Sequence, residues 1–562
     1  MAKTAGVVAA ASGARLVMLA AWLLIAALGA TAQAQHDHAD DKAARPVTLD
    51  AGLSGVHHSI QTKSTEAQKF FDQGLTLIYA FNHEEAVRSF EKAAELDPDS
   101  PMPHWGIALA LGPNINQDVD LAREKAAYEA AQRAVKLAVR APENERAYVA
   151  AVVKRYSNDP KADLKALAVL YKDAMRALAQ RYPEDLDAAT LYAESLMDLH
   201  PWQLWSSTGA PTEGTLEIVA VLESVLARDS RHVGANHYYI HATEASLTPD
   251  RALESARRLE TLVPAAGHLV HMPAHTYMRT GNYAGAVKAN AAAAEVDRQY
   301  IAAAGPNGFY PTMYYNHNLD FLASAAMMTG QFARASQAAD ELVRNVTPII
   351  ADMPMVEPFA AKKMYVLLRF AKWQDVLQLA MPDSKASVTT TLFHFGRTVA
   401  HAALGAVSDA ARERDAYRAA RQRVQADAMI GYNPASAVFL VCDAVLDARI
   451  AAAGGNLDSA IQAWQKAVAA EDALSYDEPS DWFYPTRESL GAAYFRAKRY
   501  EDADRTFRED LERNPDNPRS LFALWQMVGV VGEPDDPVTM LLRRRFRDAW
   551  TDADVELKFS DF

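Results

Sequence analysis

The feature of this 562-residue chain that most restricts its fold is a recurring order of small and bulky apolar residues. Phe70, Gly74, Leu77, Phe81, Ala86, Phe90, Ala93 and Pro98 read as two amphipathic helices, with a turn at Asn82-His83 and a stop at Leu96-Asp97-Pro98. The order returns at Ala252 and Pro264, at Gly281, Tyr283 and Ala286, and at Gly330 and Ala335. It returns again at Gly455, Ala460, Trp464 and Ala467, then at Gly491, Tyr494, Ala503, Phe507 and Pro515. Ala252 and Ala286 stand 34 residues apart. One helical hairpin cannot bury its apolar face alone, so a chain of such units must stack them into a continuous core.

These residues resemble the tetratricopeptide repeat, a helix–turn–helix unit of about 34 residues with small residues where its helices touch. The resemblance is sharp in the units quoted and loose over 101–183 and 351–424. It implies an all-α, right-handed α-solenoid of stacked hairpins. As a whole the chain resembles exported bacterial tetratricopeptide-repeat proteins, whose usual role is binding other molecules. Pro-, Gly- or aromatic-rich insertions are expected at Gly112 to Asp120, His200 to Gly214, Tyr300 to Tyr315, Met353 to Pro358 and Ala473 to Pro485.

Composition narrows the partners. Half of the residues are hydrophobic, and the formal charge of −14 argues against nucleic acid or an anionic membrane surface. Lys3 and Arg15, the apolar run Leu16 to Ala27 and Ala32-Gln33-Ala34 form the pattern of a cleaved export signal. The apolar run is shorter than the roughly 20 residues a membrane span needs. The reading is therefore an exported, periplasmic or secreted protein with no stable membrane insertion after cleavage. A single cysteine, Cys442, precludes an intramolecular disulfide. The expected organisation is a signal over 1–34 and a flexible polar tether over 35–66. Hairpins follow over 67–230, central His-bearing units over 231–350, and further hairpins over 351–562. His36 and His38 beside Asp37 in the tether offer nitrogen ligands of the kind copper takes.

Three pieces of the centre carry chemistry. On a helix each residue turns by about 100°, so i, i+3, i+4 and i+7 share a face. His237, His241 and Glu244 form one stripe, His268, His271 and His275 a second, and His317 with Asp320 a third. The resemblance implies more, because the first helix of each repeat lines the concave surface, chiefly through unit positions two, five, nine, twelve and thirteen. Counted from the Ala landmarks, all three stripes fall on such positions in successive units, and Asp187, Glu194 and Asp198 fall on them one unit earlier. Six of the chain's 16 histidines thus face one hollow.

Imidazoles with carboxylates are the ligand set for a transition metal ion: zinc, iron, manganese or copper. His237, His241, His268, His271, His275, His317, Glu244 and Asp320 are the candidate ligands. Tyr238, Tyr277, Arg279 and Asp198 are expected beside a bound molecule. Three function classes stay open. The first is a scaffold that binds a metal, a small ligand or a protein or peptide partner in its groove. The second is a metal-dependent enzyme with Glu194 or Glu244 as general base. The third is a metal-free interaction module in which a His/Tyr/acid network only stiffens the groove. The lysine-and-asparagine clamp of the chaperone-binding branch is missing, since His occupies those positions in two units. His237-Tyr-Tyr-Ile-His241 lacks the glutamate of the zinc-peptidase His-Glu-x-x-His helix. No serine or cysteine is placed as a nucleophile, and His83, His104, His394 and His401 fall outside the stripes.

Overall fold

The computed structural model describes residues 45–531 and 536–562. The expected export signal, and the His36–His38 part of the tether, lie outside the described residues. Helical hairpins follow one another from end to end, and the only sheet among the described residues is the two-stranded pair Met429–Ile430 with Asn433–Pro434. The fold is an all-α solenoid.

The first unit shows why these residues make hairpins. Thr65–Tyr79 is capped by the Ser64 hydroxyl, which accepts from the Ala67 N–H at 3.1 Å. Phe81 then turns the chain with a φ of 55°, and the Asn82 side chain caps His83–Leu96. Phe90 on the second helix leans on Gly74 of the first and Gly106 of the next unit, and a Cβ at either would stand 2.6 Å from its ring. The same contact returns between Gly491 and Phe507, also at 2.6 Å. The small-residue pattern therefore marks helix-to-helix contact. The loosely matching stretches continue the stack as Met102–Leu111, Leu121–Ala138, Glu143–Val152 and Leu164–Arg181, and as Lys362–Arg369, Trp373–Gln378, Ser387–Ala403 and Val407–Arg421.

Two expectations change. Residues 45–64 do not hang free as a tether. They lie across the stack as an extended strap: the Ala265 N–H donates to the Gly52 carbonyl, His58 Nδ1 to Asp187 at 2.8 Å, and Thr62 to Asp97 at 2.7 Å. Val47, Leu53 and Val56 pack on the core, so the strap is held by apolar burial as well. The stretch Tyr300–Tyr315 is likewise mostly helical. Tyr283–Ala304 runs through its start, and a π turn over Tyr310–Tyr314 feeds straight into Tyr315–Met328.

The solenoid closes on itself. Near the amino-terminal end, Glu84 accepts from the Phe309 N–H at 2.9 Å. Near the other end, Asp554 accepts from the N–H groups of Phe332 and Ala333, while Pro515 sits against Gly281. The segments around Trp202, Tyr432 and Tyr476 fold inward over the centre. What would be an open concave groove is filled by the chain's own loops.

Candidate metal centre

Three successive units deliver the histidines. Val233–Thr243 presents His237 and His241, with Glu244 just past its end. The next first helix is two segments, Gly267–His271 and Pro273–Arg279, because Pro273 has no N–H to continue the ladder. They carry His268 and His271 on one side of the bend and His275 on the other. Tyr315–Met328 carries His317. Local packing fixes this register. A Cβ at Gly267 would fall 1.9 Å from Asp297 Oδ1. Asp297 accepts from the Tyr310 hydroxyl, which itself accepts from the His268 N–H at 2.9 Å.

His237, His271 and His275 are 0 % exposed and Glu244 2 %. His241 and His268 are also buried, and His317 is half-buried. Burial makes every ring nitrogen accountable, and four of the Nδ1 atoms are spoken for. His237 Nδ1 donates to the Tyr79 carbonyl at 2.7 Å. His241 and His275 donate from Nδ1 to the two oxygens of Glu244, at 2.8 and 2.5 Å. His271 Nδ1 donates to Asn290 Oδ1 at 2.6 Å, an assignment set by Asn290 Nδ2 donating to the Ala286 carbonyl. An imidazole tied through Nδ1–H turns Nε2 outward as a lone pair, the arrangement that orients metal-ligating histidines.

The lone pairs then meet. His271 Nε2 and His275 Nε2 stand 2.8 Å apart, and His237 Nε2 and His268 Nε2 3.1 Å apart. His241 Nε2 and His268 Nδ1 are buried with no hydrogen-bond partner. With both Nδ1 protons committed, the His271 and His275 Nε2 atoms repel unless a proton or a metal ion lies between or beside them, whereas His268 can close the other pair by carrying its proton on Nε2. Two sets of three ligand atoms satisfy the reach of one ion, every atom within 4.8 Å of the others: His237 with His241 and His268, and His271 with His275 and His317. Glu244 joins the sets, because His241, Glu244 and His275 form a third such group.

Electrostatics separates the rings. Burial, and then neighbouring histidines, hold the pKa values of His237, His268 and His271 well below 6.5, and His317 is lowered to about 3. Burial alone would lower His275 too, but the charge and hydrogen bond of Glu244 outweigh it and leave this ring above 6.5. Burial would raise Glu244, but His275 and His241 hold it well below its usual value. Without metal, therefore, His275 is the ring that takes a proton, donating to Glu244 and bridging to His271. Aromatic rings wall the site. Phe81 lies 4.6 Å from His237, Phe321 4.8 Å from His275, Tyr314 4.8 Å from His268 and Trp202 5.6 Å from His241, as ring centroids.

The tetratricopeptide-repeat family model matches residues 67–100, the first hairpin. The hairpins stacked behind it repeat its helix–turn–helix plan, and the one at Gly491 and Phe507 repeats its glycine-to-phenylalanine contact. The first hairpin is a tetratricopeptide repeat. No curated protein matches the chain by sequence. Among solved structures the chain is similar to yeast Tom70, with 11 % identity over 86 % of this chain and 93 % of that one and a TM-score of 0.28. It is also similar to a human IFIT1 dimer with m7Gppp-AAAA, with 13 % identity over 87 % and 91 % and a TM-score of 0.31. Identities and TM-scores this low carry no functional information.

In repeat terms, the concave positions of three consecutive units converge for the six histidines and Glu244, but not for the other candidates. Asp320 turns away to Lys362 Nζ at 2.7 Å and joins neither histidine set. Glu194 and Asp198 are buried beside Arg155, at 4.0 and 2.5 Å, and join neither histidine set. Burial, with Asp198 beside it, pushes Glu194 well above its usual value. Tyr238 is buried behind the cluster, its ring 5.2 Å from that of His237 and 6.0 Å from that of Tyr79. Tyr277 donates to Glu260 at 2.5 Å, away from the cluster. Arg279 donates to the Glu244 carbonyl at 3.0 Å and lies over the Tyr476 ring, so it props the carboxylate's own residue. His83 and His394 stay apart, on Asn114 and Glu413. Sequence reasoning missed Asn290, Phe81, Phe321 and Tyr476. Asn290 left a signal as the only asparagine inside the Ala-rich run 283–304.

Proposed function

We propose that this protein is an exported metal-binding scaffold that holds two transition metal ions, one on His237, His241 and His268 and one on His271, His275 and His317. Glu244 then serves as the shared positioning carboxylate for His241 and His275. The observation that supports this reading is the convergence of two sets of three histidine nitrogens, each set within 4.8 Å, with the Nδ1 atoms of His237, His241, His271 and His275 committed elsewhere. An imidazole donor set without thiolate suits zinc, copper or iron, and manganese less. The peptide-in-groove reading loses support at this place, because the chain's own loops fill the space around the histidines. The amino-terminal pattern of Lys3, Arg15 and Ala32-Gln33-Ala34 supports the export part of the reading.

Elemental analysis of protein purified without a histidine tag tests it. Wild type should carry about two ions per chain, the number of His triads. His237→Ala with His268→Ala, and separately His271→Ala with His275→Ala, should each remove about one of them. Trace metal in wild type that neither pair of substitutions changes would sink the reading.

A further inference from the structure

A cavity of about 20 Å³, measured at the centre of a water-sized sphere, lies against one half of the cluster. His241, Glu244, Tyr476 and His200 line it together with the apolar Trp202 and Leu204. We infer that the ion held by His237, His241 and His268 is open to an exogenous ligand in this cavity, a water or a small anion of up to about three heavy atoms. The inference rests on the metal-binding reading above and adds to it what the metal would bind.

Four observations carry it. Three nitrogen donors leave a zinc-like ion at least one coordination position short of a closed sphere. Of the six histidines only His241, a member of this triad, lines the cavity. His241 Nε2, a donor atom of this triad, is buried and without a hydrogen-bond partner. The polar end is built: the Tyr476 hydroxyl lies 3.4 Å from Glu244 Oε2 and donates to Glu478 at 2.7 Å. Size sets the ligand class, because one water needs about 10–15 Å³ on this sphere-centre measure, so the cavity has room for a water or a small anion.

The roof is held rather than loose. Trp202 stands at a φ of 58°, its indole N–H donates to Asn116 at 3.1 Å, and its ring stacks on Tyr432 at 4.8 Å. The cavity thus sets apolar side chains and the Tyr476 hydroxyl beside His241, where an anion on the ion would lie.

The test uses the full chain loaded with Co(II), whose visible bands report coordination, and azide as the probe. Azide should shift the bands saturably. His237→Ala with His268→Ala should abolish the azide-sensitive bands, and His271→Ala with His275→Ala should keep them. Leu204→Phe and Ala245→Leu each push bulk into the chamber without touching a histidine, and should keep cobalt content while weakening azide about tenfold or more. Full cobalt uptake with bands that ignore azide overturns the inference and leaves the metal reading intact. So does azide binding that both chamber-filling variants leave unchanged. Failure to take up cobalt overturns the metal reading, and this inference with it.

Discussion

At the scale of single residues, His275 decides between proton and metal. Its neighbours are already neutral at physiological pH, because burial and mutual repulsion hold His237, His268, His271 and His317 low, whereas Glu244 holds His275 above 6.5. A metal must displace that proton. Metal affinity should therefore rise with pH until His275's raised value is passed and then level off, with a slope of about one proton. Competition titrations between pH 5.5 and 8 read this, and a flat profile would count against His275 as a ligand. The apo-protein responds in the opposite sense at the upper end. His275's raised value contributes stability below 6.5 that is lost as pH rises through its folded pKa. Glu244's depressed value contributes stability above 4.5 that is lost as pH falls. Glu244→Gln keeps the shape but removes the charge that fixes two tautomers, so it should weaken metal binding by roughly 10–100-fold. An unchanged affinity would make Glu244 a bystander.

At the scale of elements, the strap is the part whose role runs against its composition. Burial would lower His58, but the Asp187 hydrogen bond and charge more than offset this and raise it, while His232 and His58 hold Asp187 far below its usual value. The depressed Asp187 supports the docked strap above about pH 4. The raised His58 supports it below 6.5 and gives up that support as pH climbs through its folded pKa. Asp187→Asn should cost about 1.5–3 kcal/mol locally, the range for a hydrogen bond to a charged group. Amide exchange over 45–64 should speed up accordingly, and unchanged exchange would mean that apolar packing alone holds the strap. This element also shows what was legible in the sequence. Gly74 and Phe90, or Gly491 and Phe507, touch within one unit, so the hairpins announce themselves in a local pattern. His58 and Asp187 lie 129 residues apart, and Tyr476 and Glu244 232 apart. No periodicity carries such pairings, so the strap and the inward loops read only as polar linkers and insertions.

At the scale of the whole molecule, closure of the solenoid turns a line of repeats into a site with an inside. The histidine stripes were visible because helical spacing puts them on one face, and repeat counting placed the three faces side by side. The same counting also offered Asp320, Glu194 and Asp198. It does not register that Lys362 and Arg155, brought in from outside those stripes, claim these carboxylates first. Closure also moves the ligands out of solvent, so the cluster is held at 0–6 % exposure for five of its six histidines. The central claim is that the cluster is a pair of metal positions and not a proton-sharing network. Anomalous diffraction at the metal's absorption edge, from crystals of the metal-loaded chain, tests it most directly. Two peaks are expected, each about 2.0–2.1 Å from the imidazole nitrogens of one triad, as zinc–histidine bonds require. A map with no peak among these histidines, or with peaks only on surface residues, would contradict the account.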